Sequence, residues 1–132
     1  MNKEEINNIT GKILDAAIEV HKNLGPGLLE SVYEECLIEE LKCRGLNFVN
    51  QKKVPIIYKG KELNKDFRVD LFIENEIIVE LKTVDKLAPI HEAQLLTYLK
   101  LTNKKIGILI NFNEVLLKNG YKRLLNGNLP EL

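Results

Sequence analysis

The sequence predicts an α/β protein, with one mixed sheet carrying helices packed on it. Three observations predict it. The apolar period is helical over the first third of the chain and strand-like from about residue 47. A single later helical stretch separates two strongly apolar strand candidates, an order of elements that suits a mixed sheet. Short turn signals, Lys59-Gly60 and Glu74-Asn75, join the strands between, so those neighbours are expected to be antiparallel.

The elements follow in order. Ile6, Ile9, Ile13, Ala16, Ala17, Val20 and Leu24 recur every three to four residues, predicting an amphipathic helix over roughly 3–23. Gly25-Pro26-Gly27 ends it, with Gly25 available for a left-handed cap. A second helix is predicted over about 28–44, closing at Gly45. Residues 47–50, 53–58 and 61–73 read as strands, and 76–84 as another. Pro89 suits the first turn of a third helix, about 88–102. Ile106-Gly107-Ile108-Leu109-Ile110 is the continuous apolar run of a buried strand. Asn119-Gly120, between Val115–Lys118 and Tyr121–Leu124, predicts a closing hairpin.

The length of 132 residues suits one domain over 1–132. No apolar run approaches the length of a membrane span. Met1 to Thr10 is polar and carries no leader-like apolar core, so a cytoplasmic protein is expected. Cys36 and Cys43 have neither metal-knuckle nor redox-pair spacing. Net charge is zero, which excludes a globally basic nucleic-acid binder. The charge is unevenly spread, however. Residues 1–41 hold 3 Lys/Arg and 9 Asp/Glu, whereas 42–68 hold 8 and 2. The basic segment runs directly into Asp70. It is either a phosphate-contacting edge or a lysine-decorated strand edge that resists aggregation.

Asp70 and the triplet Glu80-Leu81-Lys82 lie within apolar strand candidates. Buried carboxylates cost several kcal/mol unless paired or bound to a metal. Glu80 and Lys82 share one strand face, about 6.6 Å apart, and Asp70 comes opposite or near Glu80 depending on register. Two carboxylates on adjacent strands form a hard-oxygen site suited to Mg²⁺ or Mn²⁺. A cross-strand salt bridge is the simpler alternative. On the second helix, Tyr33, Leu37 and Leu41 fall about −60°, −20° and +20° from Glu30, which places Glu30 inside the apolar stripe. On the third helix, His91, Gln94 and Tyr98 share a face that Leu95 and Leu101 flank, so that face is expected to be packed. His91 itself reads more simply as a helix-start residue.

These residues resemble a known family. Gly27-Leu28-Leu29-Glu30-Ser31-Val32-Tyr33 is similar to the motif of the small prokaryotic GxxExxY proteins. Asp70 with Glu80-Leu81-Lys82 is similar to the core of PD-(D/E)XK nucleases, and Gln94 to Tyr98 to the QxxxY motif of their RecB-like branch. Val69 stands where the usual proline precedes the first acid. The resemblance implies a restriction-endonuclease-like αβββαβ core and Mg²⁺-dependent (or Mn²⁺-dependent) phosphodiester hydrolysis, in DNA before RNA. It implies Asp70, Glu80 and the Leu81 carbonyl as metal ligands, supported by Glu30. Lys82 would act on the water or phosphate, and Gln94 and Tyr98 would line the site. With no appended recognition domain, a homodimer or a protein partner is expected to supply specificity. Few aromatics, and no Trp, keep open a non-catalytic nucleic-acid-binding or assembly module.

Overall fold

The computed structural model describes residues 1–127. Helix α1 runs Lys3–Leu24 and α2 runs Glu30–Cys43. The Asn2 side chain caps α1 by accepting from Glu5 N at 2.9 Å. Gly25 closes α1 at φ 70° and donates to the His21 carbonyl. Strands β1 (Phe48–Tyr58), β2 (Lys61–Ile73) and β3 (Ile77–Lys82) follow, then α3 (Pro89–Thr102) and β4 (Ile106–Asn111). A 3₁₀ turn over Leu117–Gly120 leads into β5 (Tyr121–Leu125).

The five strands lie in sequence order, β1-β2-β3-β4-β5. Only β3 and β4 are parallel, with α3 as the crossover between them. One face of the sheet packs Leu71, Val79, Leu81, Ile108 and Ile110 against Ile13, Ala17, Leu37 and Leu41 of α1 and α2. The other packs Val69, Phe72, Ile78 and Leu109 against Leu95 and Leu99 of α3. The predicted α/β class and helix placement are therefore observed. Among the described residues no helix is long and apolar enough to cross a membrane.

Five local expectations need correction. The segments 47–50 and 53–58 form one strand, kinked where the break was expected: Gln51 sits at φ 51°. β3 stops at Lys82, and α2 begins at Glu30. No closing hairpin forms at Asn119-Gly120. Tyr121–Leu125 instead pairs with β4, from Ile110↔Tyr121 to Ile106↔Leu125. The open edge of a buried strand outcompetes an isolated hairpin, which is marginal alone. Gly120 is required for another reason: a Cβ there would stand 2.6 Å from the Asn111 carbonyl oxygen. Finally, α3 packs through Leu95 and Leu99, leaving Gln94 and Leu101 exposed. Tyr98 lies at the edge of that packed face.

Candidate active site

The site lies where β2 and β3 part. Their pairing runs from Ile73↔Ile77 to Leu71↔Val79. The next rung sets Asp70 opposite Glu80, and there side chains replace the ladder. Asp70 N donates to Glu80 Oε2 at 2.7 Å, and Leu81 N donates to Asp70 Oδ2 at 2.8 Å. The in–out alternation of β2 also breaks at this point. Val69 packs on the α3 side and Leu71 on the opposite side, although two residues apart they should share a face. The left-handed Gln51 lies on β1 between the residues paired with Val69 and Leu71.

Gln51 bridges two acids. Its Nε2 donates to Asp70 Oδ1 at 3.2 Å and to Glu34 Oε1 at 2.8 Å. Neither Gln51 nor Glu34 was singled out by the sequence. Glu34 is one turn beyond Glu30, which was the available signal. Gln51 becomes relevant only through strand register.

Burial and mutual repulsion perturb the carboxylates. Glu80 is 5% exposed. Its burial, and then the Asp70 charge, push its pKa up to about 8. Glu30 is raised by burial and by Asp70, against an opposing pull from Lys82. Glu34 is raised by burial and Asp70, opposed by the Gln51 hydrogen bond. Asp70 thus raises Glu30, Glu34 and Glu80, and the Lys82 ammonium opposes it at Glu30 and Glu80. Lys82 Nζ reaches Gln94 Oε1 at 3.5 Å. The Tyr98 hydroxyl has its pKa raised by burial and then by the Glu80 and Asp70 charges. Its ring stacks on Phe67 at 4.2 Å and 12°. His91 does not join the site: its Nδ1 accepts from Ala88 N and caps α3.

The loop before α2 holds Glu30 in place. Gly27, at φ 97°, donates to Asn113 Oδ1. The Tyr33 hydroxyl donates to the Gly25 carbonyl at 2.6 Å and accepts from Leu28 N at 3.1 Å. Its ring stacks on Phe112, whose N donates to the Lys82 carbonyl. The Gly27, Glu30 and Tyr33 positions therefore form one unit, with the outer two fixing the loop and the middle one reaching the acids. Fully buried Asn111 extends this unit, holding Val84 N and O and Asn113 N through its side-chain amide.

Among the described residues no three His, Cys, Asp or Glu side chains converge closely enough to hold an ion by themselves. The donor set nevertheless fits a hard divalent cation, because Mg²⁺ takes one or two carboxylates and keeps several waters. Glu80 gives the physical test. Buried beside Asp70, it favours a proton until another positive charge is supplied.

A family model described as the PD-(D/E)XK nuclease superfamily matches residues 7–124. The chain belongs to the PD-(D/E)XK nuclease superfamily. The match runs from α1 into β5 and includes the whole rung of acids. No curated protein and no solved structure matches the chain. Its two N-terminal helices, mixed sheet and helix between β3 and β4 are consistent with the PD-(D/E)XK core.

Proposed function

We propose that this chain is a Mg²⁺- or Mn²⁺-dependent nuclease of the GxxExxY type, cytoplasmic and single-domain, that hydrolyses phosphodiester bonds in DNA. One observation carries the reading. At a single rung, Glu80 accepts from Asp70 N and Asp70 accepts from Leu81 N, and burial beside the Asp70 charge raises the Glu80 pKa to about 8. A structural salt bridge would pair Lys82 with one of these acids, yet Lys82 instead reaches Gln94.

Asp70, Glu80 and the Leu81 carbonyl would hold the divalent ion, with Glu30 behind them. Such an ion would neutralise phosphate charge and lower the pKa of a bound water. Gln51 orients Asp70 and shares its load with Glu34. Lys82, positioned by Gln94, places a positive charge where a phosphate oxygen or the attacking water would lie. Tyr98 walls the site on the α3 side. A homodimer or protein partner would add the sequence selectivity that one small domain lacks.

The test is incubation with single-stranded DNA, duplex DNA and RNA, with Mn²⁺ or Mg²⁺ and with EDTA. Metal-dependent cleavage of DNA that disappears in Asp70→Asn is expected. Metal-free cleavage, or cleavage retained in Asp70→Asn, contradicts the assignment. Nucleic-acid binding without cleavage under any metal would favour the non-catalytic module.

A further inference from the structure

A cavity of about 310 Å³ is lined by residues of β1, β2, β3 and the end of α3. Its floor is apolar: Val54, Val69, Phe72 and Ile78, all buried. Lys52, Lys53 and Lys104 stand among its lining residues. Lys52 Nζ lies 5.6 Å and Lys104 Nζ 5.7 Å from the centre of the Phe72 ring. Among the described residues none of these lysines has an acidic partner within ion-pair distance. Lysine stems often shield an aromatic ring without any ligand. Shielding alone, however, calls for neither an open cavity nor two unneutralised ammoniums, those of Lys52 and Lys104, at its aromatic wall.

The cavity is linked to the acids by chain connectivity. Phe72 is two residues along β2 from Asp70, and Ile78 two residues along β3 from Glu80. Thr102, on the cavity wall, is one turn of α3 from Tyr98 and donates its hydroxyl to the Tyr98 carbonyl. An apolar slot with an aromatic floor suits a planar base, and the lysines suit the phosphate attached to it. The size lies at the small end of ligand pockets, which fits a single nucleotide.

We propose that this cavity is a subsite for one unpaired nucleotide of the substrate chain. Its base lies against Phe72 and its phosphate pairs with the Lys52 and Lys104 ammoniums. The proposal rests on the nuclease reading and extends it, because it makes a splayed or single-stranded segment the preferred occupant.

The test is an NMR titration of the full chain in EDTA with deoxyadenosine monophosphate, deoxyadenosine and inorganic phosphate as separate probes. The monophosphate should shift the Phe72, Thr102 and Lys104 amides. The other two probes should bind about ten-fold more weakly or worse. The double variant Lys52→Gln/Lys104→Gln, which removes both ammoniums, should weaken the monophosphate at least about ten-fold. Asp70→Asn should leave that binding unchanged. No shift at those amides, equal binding of inorganic phosphate, or indifference to the lysine pair would overturn the proposal. Cleavage by a protein that fails this titration would overturn the subsite and leave the nuclease reading standing. Titration without any metal-dependent cleavage would overturn the nuclease reading and leave a nucleotide site.

Discussion

At the residue scale, Glu80 is the most informative group. Its ordinary pKa of 4.5 is raised to about 8 in the folded chain. Between those values the native state keeps a proton that the unfolded state has lost, so stability falls as pH rises. The raised Glu30 and Glu34 act in the same direction. Metal-free protein should therefore lose thermal stability steadily between about pH 4.5 and pH 8. Calorimetry should show a flatter profile for Glu80→Gln, and added Mn²⁺ at pH 8 should restore the wild-type melting temperature. A wild-type profile flat across that window would mean that Glu80 is solvated. Lys82 makes a different prediction. Lys82→Ala should lower turnover roughly 10²-fold or more, the loss typical of removing one transition-state donor, with Mn²⁺ binding by titration calorimetry retained. Loss of metal binding in that variant would place Lys82 in a structural role.

At the element scale, the loop before α2 and the loop after β4 hold each other through Gly27, Asn113, Tyr33 and Phe112. Tyr33→Phe removes two hydrogen bonds made by one hydroxyl. It should cost about 1–2 kcal/mol in urea unfolding, and it should reduce cleavage because Glu30 follows the loop. Wild-type stability in that variant would show the hydroxyl to be dispensable. Gly120→Ala should cost about 1–3 kcal/mol, because the added carbon meets the Asn111 backbone and β5 must shift. Local sequence signals were reliable where an element's own period decided its fate, as in α1 and β4. Asn119-Gly120 misled because a strong turn dipeptide lost to the unpaired edge of β4. The face of α3 was misjudged because Gln94 and Tyr98 share a helical stripe, yet only Tyr98 reaches the packed side.

At the scale of the whole molecule, the neutral net charge hides a separation. The acidic residues 1–41 build α1 and most of α2, and the basic segment 42–68 ends in the long β1–β2 hairpin. Arg44 is neutralised by Glu40 at 2.6 Å, whereas the lysines of β1 and the hairpin tip are not paired among the described residues. If the hairpin tracks phosphates, Lys59→Gln and Lys61→Gln should each weaken DNA binding and reduce the salt slope by about one. Fluorescence anisotropy over a salt series measures this, and an unchanged slope would assign the tip to strand-edge protection instead. The acids Asp70, Glu80 and Glu30 were legible because charge within an apolar pattern is visible in one dimension. Gln51, Glu34 and the Phe72 cavity were not, because register and the parting of β2 from β3 bring them together only in three dimensions.

The proposed chemistry requires a divalent cation at the Asp70–Glu80 rung. Anomalous diffraction from crystals of the wild-type chain soaked in Mn²⁺ tests it most directly. A peak within bonding distance of both carboxylates, lost in Asp70→Asn, is the predicted result. No peak at that rung in well-ordered crystals, or a peak elsewhere with both acids keeping only their bonds to backbone N–H and Gln51, would contradict it.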